Sequence, residues 1–257
     1  MTEIHPTAIV DPSAQLGTNV VIGPYCIIGP GVVLGDGCWL QHHVTLCGPA
    51  VIGRDNRFFA YGSIGQQTQD LKYKGEPTHL EIGDGNCFRE FVTVHRGTFP
   101  GDSTRIGNRG NFLAYSHIAH DCTVGDDVIF SNNGTLGGHV TVGDHAIIGG
   151  LSAVHQFCRI GRFAILGGCT KIVQDVPPFM IADGNPAGIR GINKIGMERH
   201  DFSAEAVREI KEAYRILYRS ALNVKQAGEQ ISQTLKPTAE ICQLLEFLAT
   251  TERGIVK

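Results

Sequence analysis

The chain has 257 residues, of which 22 are Lys or Arg and 25 are Asp or Glu, for a net charge of −3 at neutral pH. That balance offers a nucleic-acid backbone no cationic surface, and 42% hydrophobic against 18% charged residues excludes a disordered chain. No run of about 20 apolar residues occurs, so no integral membrane segment is expected.

Apolar side chains recur every six residues from the start: Ile4, Val10, Leu16, Ile22, Ile28, Leu34, Leu40, Leu46, Ile52, Phe58 and Ile64. The phase resumes at Ile82, Phe88 and Val94, then runs from Ile106 to Ile172. Of the 29 positions in this series only Asp70, Glu76 and Pro100 are not apolar. Glycine often follows the stepping residue, as at Gly17, Gly23, Gly35, Gly125 and Gly161, and is expected to ease a tight turn. Four residues after it the side chain is small or β-branched, as at Val20, Cys26, Val32, Ser116 and Cys122. A hexad suits one short strand and one turn, and three hexads make a triangular coil. Stepping residues then stack in an apolar column, and each coil needs its neighbours to bury its face. The pattern predicts a mainly β protein, a parallel β-helix over residues 1–186. Because the repeat is already running at Ile4, no cleavable signal is expected, and the expected compartment is the cytoplasm. Cys26, Cys38, Cys122 and Cys158 fall on the small-residue position and no Cys-x-x-Cys pair occurs, which predicts buried, unreactive thiols.

Two stretches break the repeat. Residues 65–78, GQQTQDLKYKGEPT, replace two hexads with polar sequence, and residues 97–104, GTFPGDST, interrupt it again. A solenoid gains nothing structurally from breaking its own repeat, so function is expected at both breaks, and the mixed Asp70, Leu71, Lys72 and Tyr73 make the first read as an ordered loop that contacts a ligand. Beyond them lies SHIAHDCTVGDDV, with His117 and His120 three residues apart and Asp121 next. His139 follows His120 at close to the length of one three-hexad coil, so the two are expected on adjacent coils at one side of the prism. His95 and His155 lie in the same half of the repeat. Asp121 can orient His120 and support it when charged, as a general base requires.

The tail differs. Residues 187–257 hold 11 Lys or Arg against 9 Asp or Glu, leaving 11 against 16 for residues 1–186. Ser203 reads as the N-cap of a helix carrying Ala206, Val207, Ile210, Ala213, Tyr214, Leu217 and Tyr218 at helical spacing. A second helix is predicted from Val224 to Leu235, and a third after Pro237-Thr238 with Ile241, Leu244, Leu245 and Leu248. The segment reads as a helical cap on an acidic solenoid.

The stretches DLKYKGEPT, VTVHRGT, SHIAHDCTVGDDV, HVTVGDHAIIGG, AVHQFCRIG and QDVPPFMIADGNPA, in this order, resemble the UDP-N-acetylglucosamine O-acyltransferase family of lipid A biosynthesis. The resemblance spans the whole chain. It implies a left-handed winding, a homotrimer with sites between neighbouring solenoids, and no metal or cofactor. It also implies transfer of an (R)-3-hydroxyacyl group from acyl carrier protein to the glucosamine 3-OH of UDP-GlcNAc. His120 falls on the family's catalytic base, Asp121 on its support and Gly138 on the oxyanion donor. His117 and His139 match sugar contacts, and His155 and Gln156 lie further along the cleft. Asp70 and Lys72 match donor-handling residues, Gly168 lies near the floor of the acyl groove, and Asn193 and Arg199 match nucleotide contacts. Arg199-His200 stands where two arginines are expected. Acyl carrier protein is acidic, so Lys211, Arg215 and Arg219 are candidate docking residues.

Other readings remain at this stage. The related N-acyltransferase carries a further N-terminal domain, which a repeat beginning at Ile4 argues against. His117, His120 and His139 could be zinc ligands, as in γ-type carbonic anhydrases, which are also hexapeptide trimers. A non-catalytic assembly solenoid is the third reading.

Overall fold

The computed structural model describes residues 1–257 and forms a left-handed parallel β-helix capped by helices. Its three sheets have 11, 9 and 8 strands; they begin at Glu3–Ile4, Ile9–Val10 and Gln15–Leu16 and are called first, second and third below. Each hexad contributes one strand, mostly two residues long, and each strand pairs in parallel with the strand one coil on. Ile4 lies beside Ile22 and Ile118 beside Leu136, the advance expected of three hexads. Both inward positions of the hexad are used. Ile22, Ile28 and Leu34 interleave with Val20, Cys26 and Val32 in a single core of 41 buried residues. Phe58, Phe88, Phe112 and Phe130 stack down the first sheet with centroids 4.8–5.2 Å apart. The first coil departs from the pattern, since the stepping residue Ile4 is exposed and Val10 and Leu16 are only half-buried.

The role expected of glycine is corrected. The left-handed residue that turns most corners stands three after the stepping residue and is usually not glycine: Asn19, Tyr25, His43, Asp55, Tyr61, Tyr115, Asp121, His139 and Cys169 all have φ between 54° and 63°. The glycines directly after the stepping residue, Gly65 apart, have ordinary φ and serve close approach instead. A Cβ on Gly23 would overlap the Gln41 carbonyl of the next coil, and one on Gly161 would strike Pro178.

The two excursions are additions to a coil. Ile52 pairs with Ile82 and Ile82 with Ile106, so the first of these coils is longer than three hexads by two hexads and the second by one. Asp70 and Glu76 belong to the first addition and Pro100 to the second, which is why these three alone are polar or turn-forming in the apolar series.

Four of the cysteines are buried as expected, and burial pushes the Cys122 thiol up to about 12 and Cys158 to about 11. At the C-terminal end, Met180–Asp183 extends the first sheet and Gly188–Ile192 returns antiparallel to it, so strand pairing continues past residue 186. A short helix, α1 (Lys194–Arg199), precedes the predicted three: α2 (Ala204–Arg219), α3 (Val224–Thr234) and α4 (Ala239–Ala249). Ser203, Asn223 and Thr238 cap these three by accepting from the third helical N–H. Asp175, 1% exposed, ties tail to solenoid: its carboxylate accepts from Arg159 Nε at 3.0 Å and from the Thr251 hydroxyl at 2.8 Å. No helix is long and apolar enough to cross a membrane.

Gly23→Ala should lose at least about 1–3 kcal/mol of stability by overpacking the interface between coils. Gly191→Ala, where a Cβ meets nothing within 4 Å, should stay within about 0.5 kcal/mol of the parent. Urea unfolding of both variants at one protein concentration checks the contrast.

Candidate active site

Both excursions leave the prism at the corner between the second and third sheets, on the two coils before the one that carries His120 and Asp121. Gly138 and His139 occupy this corner one coil further on, and Gln156 and Phe157 the next. The corner therefore gathers most of the residues that the sequence singled out. Its left-handed residue is Asp121, with φ of 60°, and His139, with φ of 59°, stands in the same position above it.

His120 and Asp121 form a buried pair, Nδ1 to Oδ2 at 2.7 Å. The other carboxylate oxygen accepts the Thr98 N–H at 3.0 Å, and the Asp121 N–H donates to the Thr104 hydroxyl at 2.8 Å. Burial pushes the Asp121 carboxyl up, but the hydrogen bonds from His120 and Thr98 outweigh it and hold the group below the usual carboxylate range. Beside His120 Nδ1, at 2.9 Å, lies the hydroxyl of Thr98, itself 3.0 Å from the hydroxyl of Thr68. The imidazole rests directly on Gly138, where any Cβ would overlap the ring at Cε1 and Nε2. The Gly138 N–H has no hydrogen-bond partner in the chain. His139 meets His120 edge-on at 5.2 Å and stacks on the exposed Phe157 at 4.6 Å, with its Nε2 3.6 Å from Asp121 Oδ2.

His117 lies one residue before a stepping position and so faces outward on the second sheet, its Nδ1 2.7 Å from the Thr93 hydroxyl. Burial, then the nearby His120, lowers its pKa. His95 packs against it at 4.9 Å, is 6% exposed, and is pushed down to about 4 by burial and by His117 and His120. His155 and Gln156 are exposed one coil beyond. In the first excursion Asp70 Oδ1 accepts the Lys72 N–H at 2.8 Å, which leaves its second oxygen available. The loop is ordered by the Tyr73 hydroxyl on the Glu76 carbonyl at 3.1 Å.

Three predicted residues stand elsewhere. Gly168 is on the corner between the first and second sheets, where a Cβ meets only the Gly150 carbonyl at 3.5 Å. Asn193 and Arg199 lie over the corner between the third and first sheets. There Asn193 caps α1 by accepting from Gly196 and donating to the Phe163 carbonyl, while Arg199 is exposed and unpaired. His200 packs on His145 at 4.6 Å and Phe163 at 5.1 Å. Among the docking candidates, Arg215 is paired with Glu212 at 2.6 Å and Arg219 lies against Tyr214. Sequence reasoning missed Thr68, Thr98 and Phe157; the signal open to it was that both threonines sit inside the breaks in the repeat.

The proposed zinc histidines do not converge. His120, Asp121 and His139 do, within 4.8 Å, but His117 is held by Thr93. The His120–Asp121 separation of 2.7 Å is a hydrogen bond, shorter than the about 3.3 Å that two ligands of a tetrahedral zinc span.

A family model described as UDP N-acetylglucosamine O-acyltransferase, domain 2, matches residues 175–256, and a bacterial transferase hexapeptide model of six repeats matches residues 1–36. The acyl-[acyl-carrier-protein]–UDP-N-acetylglucosamine O-acyltransferase of Halorhodospira halophila is 48% identical over 258 residues, covering 100% of both chains. LpxA from Acinetobacter baumannii superposes with a TM-score of 0.96 at 46% identity, covering 99% of each chain. The UDP-N-acetylglucosamine O-acyltransferase of Moraxella catarrhalis gives 0.94 at 43%, again over 99% of each.

Gly138→Ala should push the His120 ring off its seat and cost about 1–3 kcal/mol, read by unfolding and by the His120 imidazole resonances. The His95 value of about 4 lies below the 6.5 of a free imidazole, so the unfolded chain takes up a proton that the native chain refuses. Stability should thus be full above pH 6.5 and fall as pH drops towards about 4, and His95→Phe should flatten that slope in denaturation curves.

Proposed function

The chain belongs to the acyl-[acyl-carrier-protein]–UDP-N-acetylglucosamine O-acyltransferases, and from that membership we propose that it moves an (R)-3-hydroxyacyl group from acyl carrier protein to the 3-OH of UDP-GlcNAc, the first step of lipid A biosynthesis, with His120 as general base. The observation that carries this reading is the buried His120–Asp121 pair at 2.7 Å beside the unpartnered Gly138 N–H. An ionised Asp121 accepts only, so His120 Nδ1 carries the proton and Nε2 offers its lone pair. Nε2 takes the proton of the sugar 3-OH as the oxygen attacks the thioester carbonyl. The Gly138 N–H donates to the oxyanion that develops. The tetrahedral intermediate collapses with loss of the phosphopantetheine sulfur, which receives the proton from Nε2, and the ester remains on the sugar. Asp121 stabilises the imidazolium between the two transfers.

His117 and His139 are assigned to the sugar, with His155 and Gln156 further along. The free oxygen of Asp70 suits the acyl 3-hydroxyl, and Lys72 the donor. Arg199 suits a diphosphate, and Lys211, with no ion-pair partner, is the more available docking cation than Arg215. Because Gly168 and Arg199 stand on other corners than His120, a complete site needs neighbouring chains, which supports a homotrimer. The exposed row of Tyr25, Tyr61, Phe91, Tyr115 and Leu151, on the Gly168 corner, is an apolar edge suited to such an assembly. Gly168 leaves the groove deep and favours longer hydroxyacyl chains. The compartment is the cytoplasm, where acyl carrier protein is met.

His120→Ala should lower kcat by about 10²–10⁴-fold, the usual worth of positioned proton transfer, with little change in KM. Oligomeric state and thermal midpoint should persist, since His120 belongs to neither inward position of the hexad. His117→Ala should mainly raise KM for UDP-GlcNAc, as a contact made in both ground and transition states does. Steady-state kinetics and a melting curve test both, and a His120→Ala enzyme of near-normal kcat would return this histidine to the scaffold.

A further inference from the structure

We propose that Thr98 is a positioning residue for the general base, and that Thr68 behind it ties the base's orientation to the 65–78 loop. The proposal rests on the reading of His120 as the base. Thr98 is fully buried, yet it belongs to no apolar column, and a buried hydroxyl is costly unless it is hydrogen-bonded. Valine would fill the same volume without that cost. What valine lacks is the hydroxyl contact with the pair: Thr98 Oγ1 lies 2.9 Å from His120 Nδ1, while its N–H donates to Asp121 Oδ1 at 3.0 Å. Thr98 thus touches both members of the dyad.

The direction of the hydrogen bonds follows from what each group can do. An ionised Asp121 carboxylate at 2.7 Å cannot face an Nδ1 lone pair, so Nδ1 carries hydrogen and shares it between Asp121 Oδ2 and Thr98 Oγ1. The Thr98 proton is then free to point at Thr68 Oγ1, 3.0 Å away. Thr68 also accepts the Asp70 N–H at 3.0 Å, inside the loop assigned to the acyl donor. A single polar chain, with Thr68 from one excursion and Thr98 from the other, runs from the donor loop to the base. It holds the tautomer in which Nε2 has the lone pair and fixes the ring plane over Gly138. Settling of the donor loop around its ligand would then set the base through this chain.

The test compares Thr98→Val, Thr98→Ser and Thr68→Val with the parent and with His120→Ala. Thr98→Val should lower kcat by about ten- to a hundredfold, less than loss of the base itself, with both KM values within about twofold. Removing an acceptor from Nδ1–H disfavours the imidazolium, so the acid limb of kcat should move to lower pH. Of the other titrating neighbours, His139, His117 and His95 are unchanged by the variant, while Asp121 keeps the Thr98 N–H and its bond to His120 and loses only the hydroxyl. Imidazole nitrogen resonances of histidine-labelled protein should show His120 losing its pure Nδ1–H form in Thr98→Val and regaining it in Thr98→Ser, which should also recover most of kcat. Thr68→Val should cost less, and the double variant no more than Thr98→Val, because Thr68 acts through Thr98. Parental kcat, limb and tautomer in Thr98→Val, with His120→Ala inactive, would overturn the positioning role alone. Equal losses in Thr98→Val and Thr98→Ser with a lowered melting point would overturn it in favour of packing. An active His120→Ala enzyme would overturn the base reading itself.

Discussion

The stacking of each coil's inward side chains on those of the next, at an advance of three hexads, is the constraint on which the rest of the molecule depends. A strand of two residues cannot bury its own apolar surface. Each inward Ile, Leu or Val contributes about 1.5–3 kcal/mol only because a coil lies on either side of it. The same stacking brings backbones so close that Gly23 and Gly161 have no room for a Cβ. It also forces a left-handed residue at most corners, usually without glycine, a strain that persists because the ladders above and below over-determine it.

A scaffold so repetitive leaves its corners as the places where a residue can be specialised at no cost to the column. Both excursions use one corner on successive coils, and His120 stands on the coil directly after them. The loops therefore close over the second-to-third-sheet corner and supply buried hydroxyls and an N–H that the prism itself lacks. Asp121 illustrates the consequence. Alone, its burial would favour the neutral acid, but Thr98 from the second excursion and His120 beside it keep it charged. The chemistry of the dyad is thus set by a break in the repeat, on a frame whose rigidity comes from the repeat.

The residues proposed for the site stand on three separate corners of one prism. His120, Asp121, Gly138 and His139 share one, Gly168 another, and Asn193 with Arg199 the third. Corners of a single coil point outward in different directions, so no motion within one chain brings them together. In the proposed assembly, neighbouring prisms side by side do so. The tail is fixed relative to the solenoid by the buried Asp175, held by Arg159 and Thr251, so that Arg199 has a defined place on its corner.

The sequence by itself determined the column. A six-residue apolar period fixes strand, turn and coil, because inward direction repeats with the hexad whatever the residue between. It also flagged His120, Asp121 and His139, since corners one coil apart are neighbours by arithmetic, and it placed the three long tail helices through Ser203, Pro237-Thr238 and their apolar spacing. It misjudged the glycines, because the clash they avoid is with the backbone of the next coil and leaves no local signature. It could not show Thr68 meeting Thr98, or Thr98 meeting His120, for these contacts span 30 and 22 residues across loops without a period. Nor could it show that Gly168 and Arg199 stand on different corners from the base. Direction around the prism and approach between coils are properties of the closed solenoid, and only the tertiary structure decides them.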